Sequence, residues 1–526
     1  MTHIYLGKNV LTGKKLFLSI TDLATTHAHI LGRSGVGKSK LLERVARDII
    51  KAGYGLIVLD GKGDLYDNLL NFCAYMEVPA RKVRLIDPRD DHTPGLNVLE
   101  RLGKTDPATQ ANLVIEAIQK MHGEDETRHW LEEWGRAILS PLCLANFTLT
   151  EVFAFARTDD PNFRRAILNQ INDPYLMAKW REFESYKPAM QAEMVRVVKT
   201  RVDLFQQSPF LCAMFGQLKT TIDWLDLMDS GKIFLSQLAY GAIDQKQLSF
   251  IGVSIINQIM RLAYSRPKDR RRPCFVIIDE FQNFLTPDIA SALDTLRGFG
   301  VYFILAHQNL EQLKQDDPKI YHSVMGNARI KVAFTVSRED CEIMYGEIFP
   351  DKVYAGMQQI KDEIYQTKFR PIETWRDIYT ESDTDSESVL TISSDNEPRP
   401  TTTTAHTASH TQTPGVIHEE FKEITGRTYH SEVEVKERLI SWIHTQNDRH
   451  YQLKIKHLPA IPMVSPTVQD VEVYPPKLDR YKQNIYALNS RPIDEVRKEV
   501  DQRVANYLIN YHKSDEPETS QPKRKR

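Results

Sequence analysis

Residues 32–39 read GRSGVGKS. The spacing Gly32-x-x-x-x-Gly37-Lys38-Ser39 constrains the fold more than any other stretch, because it functions only between a buried strand and a helix. Both neighbours are present. AHIL (28–31) is a short apolar run that suits a buried strand. KLLERVARDIIKAG carries Leu41, Leu42, Val45, Ala46, Ile49 and Ile50 on one helical stripe, and Gly53 is placed to end the helix. In such a loop Gly32, Arg33, Ser34, Gly35, Val36 and Gly37 turn backbone N–H groups toward phosphate oxygens. The helix N-terminus adds its positive partial charge. Lys38 then reaches the β- and γ-phosphates of a bound nucleotide, and the Ser39 hydroxyl ligates Mg2+. A glycine-rich turn before an ordinary helix is the plainer reading, and the strand–loop–helix context outweighs it.

A phosphate cradle binds a nucleotide without cleaving it; hydrolysis needs a second Mg2+ anchor and a group that orients water. CFVIIDEFQNF (274–284) offers both, as an apolar strand ending at Asp279 and Glu280. Asp279 would hold the Mg2+ shell and Glu280 would polarise the attacking water, unless the pair only caps a helix. The following strand, VYFILAHQ (301–308), ends at Gln308, which can sense a γ-phosphate or simply close the strand. Between the two lies ALDTLRGFG. Arg297 there is either a cation at a helix C-terminus or an arginine that reaches a neighbouring subunit's nucleotide. Arg329 is the other candidate for that role.

Further apolar runs at GLIVLD (55–60), KVRLID (82–87), KIFLSQL (232–238) and RIKVAFTV (329–336) alternate with helical stretches. The pattern predicts an α/β fold, a parallel sheet with ligands at the carboxyl ends of its strands. Asp60-Gly61-Lys62-Gly63-Asp64 ends one of those strands, on the ligand side or as a plain turn. From 101 to 225 the strand pattern stops and an inserted all-helical subdomain is expected. The ATPase core would then comprise 1–100 and 226–380. Residues 381–415 are rich in Ser, Thr, Pro and acids and read as a disordered linker. Beyond them, 416–526 is expected as a small, mostly helical region, with Val496, Val500, Val504 and Leu508 on a narrow stripe that packs in that region or against a partner.

Net charge is −2, so no whole-molecule field draws the chain to nucleic acid; contact with DNA must come from local patches or from assembly. The basic run 266–272 is one such patch or a solvated loop. The five cysteines lie far apart without a CxxC pair, which argues for a reducing compartment and against a zinc ribbon. No stretch has the length and apolarity of a membrane span, and no signal peptide is evident, so a cytoplasmic location is expected.

The ordered set IYLGKNVLTGKKLFL, GRSGVGKS, LIVLDGKGDL, RLIDPRDDHTPGLNVLE, FGQLKTTIDWLDLMDSGKIFLSQL, FVIIDEFQNF and LRGFGVYFILAHQNLEQL resembles the HerA/FtsK superfamily of ring ATPases. The closest likeness is to the conjugative coupling proteins and their soluble HerA-like relatives, over roughly residues 1–345. The resemblance implies a RecA-like fold, a homo-hexameric ring, ATP and Mg2+ as cofactors, and movement of DNA through a central pore. It matches Lys38 and Ser39 to Walker A, Asp279 and Glu280 to Walker B, Gln308 to the next motif and Arg297 to a trans-acting arginine. The sequence departs from membrane-bound coupling proteins in showing no transmembrane helices, and from archaeal HerA in a short segment before the loop. Two functions follow as expectations. One is a DNA translocase serving conjugation, a mobile element or defence, with a secretion or relaxase partner. The other is an ATPase scaffold that regulates an effector such as a nuclease through its C-terminal region.

Overall fold

The apolar runs become strands. In chain order these are β1 (His3–Asn9), β2 (Lys15–Ser19), β3 (His27–Leu31), β4 (Gly55–Asp60), β5 (Val83–Ile86), β6 (His92–Pro94), β7 (Ile233–Gln237), β8 (Cys274–Asp279), β9 (Val301–His307), β10 (Ala328–Ala333), β11 (Ile360–Ser388), β12 (Thr401–Tyr429), β13 (His450–Ile455), β14 (Ile461–Val464) and β15 (Ser490–Pro492). The structure is a computed structural model that describes residues 3–102, 105–122, 127–239, 241–350, 360–388 and 401–515. It divides into two compact units: Met1–Gly356 with Lys436–Arg526, and Met357–Val435.

Eleven strands of the larger unit form one sheet, in the order β2-β1-β14-β13-β10-β3-β9-β8-β4-β7-β5. From β10 to β5 all neighbours are parallel. β13, β14, β1 and β2 add an antiparallel extension at the β10 edge. Every residue of β3, β4 and β8 is buried. A parallel sheet is covered on both faces, so its strands are apolar throughout instead of alternating. Parallel register also gathers the strand ends: Asp60 lies beside Asp279 and beside Gln237, and Leu31 lies beside His307. This is the α/β, RecA-like core that the sequence predicts.

Between β6 and β7 the described chain is helical, with longer helices at Pro107–His122, Arg128–Leu144, Pro174–Ser185 and Pro188–Gln207. Their core is aromatic: Trp134, Trp180, Phe183 and Phe155 meet edge-on or tilted at 4.9–5.7 Å. Arg164 is buried against this cluster, with its guanidinium 4.8 Å from the Trp180 ring, and it bonds the carbonyls of Phe155 and Arg157 and the Glu184 carboxylate.

The C-terminal region is mostly helical, as expected, and Lys436–Arg526 belongs to the same compact unit as the core. β13 and β14 complete the central sheet, and on the helix Ile493–Asp515 the first half of the stripe, Val496 and Val500, packs on Cys212 and Ala213, while Val504 and Leu508 are half-buried. Arg503 fixes that helix through a buried ion pair to Glu151 (3.0 Å) and a bond to the Gly216 carbonyl. The segment 381–415 falls in the second unit. Positions 381–388 and 401–415 lie in the β11–β12 ribbon, while 389–400 fall outside the described residues. A backbone ladder with register shifts near Ile360 and Ile364, and cross-strand pairs such as Arg370–Glu419, hold the ribbon.

The basic run 266–272 is largely structural. Arg266 is buried on Asp229, Arg271 lies over the Phe299 ring at 4.4 Å, and Arg272 bonds the Gly53 carbonyl. Among the described residues no helix is long and apolar enough to cross a membrane. All five cysteines are buried and unpaired.

Candidate active site

β3 delivers the chain to the loop 32–37, and the helix Lys38–Ala52 leaves it. Two glycines are required by backbone shape: Gly35 has φ +84° and Gly37, which caps the helix, has φ +109°. Gly32 is required by space, since a Cβ there would lie 2.6 Å from Cβ of Phe334. Arg33, Ser34 and Gly35 are exposed, while Val36 and Lys38 are buried. Lys38 Nζ donates to the carbonyl of Gly32 and, at 3.2 Å, to that of Arg33. Burial and the neighbouring Lys62 ammonium pull Lys38 down to about 8.

The facing wall comes from β4, β8 and β9. Asp279 ends β8 fully buried; its Oδ1 accepts the Glu280 N–H at 3.1 Å and its Oδ2 has no hydrogen-bond partner. Burial pushes Asp279 up to about 6, against the pull of Lys62. Glu280 follows with φ +56°, an uncommon conformation for a residue with a Cβ, and this turns its carboxylate out of the strand line. Three groups grip that carboxylate: Lys62 Nζ at 2.8 Å, Gln282 Nε2 at 3.1 Å and Gln308 Nε2. Burial would raise its pKa, but these bonds outweigh burial and hold it below the usual carboxylate range.

In the sequence, Lys62 belongs to a strand-end segment that lies on the ligand side or forms a plain turn, with no role of its own. The structure makes it the cation between Lys38 and the Asp279–Glu280 pair; burial alone would depress its ammonium, yet Asp279 and Glu280 hold it above its ordinary value. The turn is shaped by Asp60, whose carboxylate accepts the N–H groups of Lys62 (2.9 Å) and Tyr66 (2.8 Å). The signal was there in Asp60-Gly61-Lys62-Gly63-Asp64 at a strand end, but a lysine in a glycine turn has no distinctive pattern without its partner. A cleft of about 640 Å³ runs over the loop, lined among others by Gly35, Lys38, Ser39, Lys62 and Asp67.

The structure thus brings Lys38, Lys62, Asp279, Glu280 and Gln308 together, with Ser39 in the same cleft. It does not bring Arg297 to them. Arg297 lies in the 3-10 turn that enters the amino end of β9, whereas Gln308 follows its carboxyl end. Its half-buried side chain sits near His27 at the start of β3, and its Nε has no hydrogen-bond partner. Arg329 is exposed at that same amino end, on β10 next to Ala328, which pairs with His27.

The sequence matches the family of type IV secretion-system coupling protein DNA-binding domains over residues 18–349. The chain belongs to this family. The likeness extends to solved coupling-protein structures. The unbound form of the bacterial conjugative coupling protein TrwBΔN70 superposes with a TM-score of 0.53 at 14% identity, over 89% of this chain and 90% of that one. The plasmid coupling protein TrwB in complex with ADP and Mg2+ gives 0.54 at 14% identity, over 89% and 91%. TrwB with a non-hydrolysable ATP analogue gives 0.53 at 15%, over 86% and 89%. No curated protein matches the sequence. The coupling-protein match ends at 349, so β13 and β14, which complete the sheet, lie beyond the matched residues.

Proposed function

We propose that the protein is a ring-forming ATPase that couples ATP hydrolysis to the movement of DNA. The observation that carries the chemistry is the grouping of Lys38, Lys62, Asp279, Glu280 and Gln308 beside a glycine loop, where Lys62 reaches from the loop cleft to Glu280 and Gln308 bonds the same carboxylate. The residues fit Mg2+ and a triphosphate. Gly35 and Gly37 hold the curved backbone of a phosphate cradle, Lys38 and Lys62 supply cations, and Asp279 keeps a buried carboxylate oxygen without a partner. In this reading Ser39 and Asp279 hold the Mg2+, which neutralises charge on the phosphates. Lys38 holds the β- and γ-phosphates, Glu280 orients water, and Gln308 fixes Glu280 and reports on the γ-phosphate. Arg297 serves a neighbouring subunit. Membership of the coupling-protein family supports DNA as the substrate to be moved. The scaffold alternative draws on the C-terminal region as a partner-binding module; β13, β14 and the first half of its apolar stripe, Val496 and Val500, are taken up in the body itself.

The reading is tested by steady-state ATP hydrolysis with and without double- and single-stranded DNA. Stimulation by DNA is expected, and it should weaken as salt rises, because counterion release dominates phosphate contacts. Hydrolysis indifferent to DNA would contradict it.

The site also sets a pH dependence. Asp279 is ionised above about pH 6, and Lys38 is protonated below about pH 8. Mg2+ needs the Asp279 anion and the phosphates need the Lys38 cation. MgATP affinity should therefore rise with pH through about 6 and fall with pH through about 8. Protonated Asp279 is neutral, as an amide is. The affinity gap between the wild type and Asp279→Asn, measured by nucleotide titration, should be wide at pH 7 and close below pH 6.

A further inference from the structure

The cleft over the glycine loop has a wall that comes from the other end of the chain. Arg449 donates its N–H to the Val36 carbonyl at 2.9 Å, and Ser465 donates its N–H to the Arg449 carbonyl at 2.8 Å. From Ser465 the chain runs along the helix Lys38–Ala52. Arg47 donates to the Gln469 carbonyl at 2.9 Å, Lys40 pairs with Asp470 at 2.5 Å, and the Val473 N–H donates to Asn71 Oδ1 at 3.2 Å. Asp470, Val471 and Glu472 line the cleft together with Ser39 and Lys40. The Ser465 hydroxyl is buried without a hydrogen-bond partner, 3.5 Å from the position a Cβ on Gly37 would take.

Charge is spread unevenly along the cleft, whose lining also includes the carboxylates of Asp64 and Asp67. Lys38 and Lys62 stand at its catalytic end, near Glu280. Asp470 and Glu472 stand on the C-terminal strap, and Lys40 is already paired there with both Asp470 and Glu43. A polyphosphate is drawn to the first end and repelled by the second. A nucleoside is neutral, and its ribose hydroxyls and exocyclic amino groups are donors that carboxylates accept. We propose that the strap Ser465–Val473 is the nucleoside wall of the cleft. The triphosphate lies along Gly32–Ser39, and the ribose and base lie against Asp470, Val471 and Glu472. This rests on the nucleotide reading of the loop and adds to it the residues that separate ATP from a bare polyphosphate.

The test is calorimetric titration of the full chain with ATP and with inorganic tripolyphosphate, both with Mg2+. Wild type, the Asp470→Ala/Glu472→Ala double variant and Lys38→Ala are compared. Both strap side chains are exposed, so the double variant should keep its thermal midpoint. ATP affinity should fall about tenfold in it, as for the loss of hydrogen bonds to a charged acceptor. Tripolyphosphate should bind equally well or more tightly, since two repelling charges are gone, and Lys38→Ala should weaken both ligands. Unchanged ATP affinity in the double variant, or a parallel loss of both ligands, would overturn the assignment while leaving the loop's role intact. A wild type that binds neither ligand would overturn the nucleotide reading and the strap's role with it.

Discussion

Replacing Glu280 by Gln should leave MgATP bound and slow its cleavage by about 10²–10⁴-fold, the usual contribution of a positioned general base. Binding survives because the phosphate cradle and Asp279 are untouched. Gln has the same shape as Glu, and its amide oxygen can still accept from Lys62. What disappears is the negative charge that Lys62, Gln308 and Gln282 grip in the native site and keep ionised. Single-turnover cleavage with a parallel measurement of nucleotide retention separates the two effects. Normal turnover in the Gln variant would remove Glu280 from its role.

Arg297→Ala should lose about 10³–10⁵ in turnover, as for an arginine finger, and Lys38→Ala should be inactive. Mixing the two inactive proteins should restore part of the activity. The reason is distance. Arg297 precedes β9 and Gln308 follows it; the seven residues of β9 alone span roughly 23 Å in an extended strand. Arg297 is therefore out of reach of its own cleft, and in the proposed ring it acts on a neighbour's. In a mixed ring, a Lys38→Ala subunit donates an intact arginine to an Arg297→Ala subunit with an intact cradle. Absence of rescue would leave Arg297 as a structural residue near His27.

The parallel core was legible because its signals are local. A strand, a glycine loop with fixed spacing and an apolar helix stripe are each continuous in sequence, and Asp279, Glu280 and Gln308 sit at the ends of apolar runs. Lys62 was not legible as a site residue, because its meaning comes from Glu280, more than two hundred positions away. The packing of the C-terminal part is not legible for a similar reason. β13 and β14 are short and find their partners in β10 and β1. The Val496 stripe gives no sign of whether its partner is another protein or the helix Pro209–Phe215 of the same chain. The basic run 266–272 looked like a patch because a sequence shows charge but hides the Asp229 carboxylate and the carbonyls that absorb it.

The most direct measurement is displacement of a third strand from triplex DNA by wild type and Glu280→Gln, with ATP. A DNA-moving motor strips the third strand in the wild type and fails to do so in the variant, although both bind nucleotide. DNA-stimulated hydrolysis with no displacement by the wild type would contradict the motor and leave an ATPase that senses DNA without moving it.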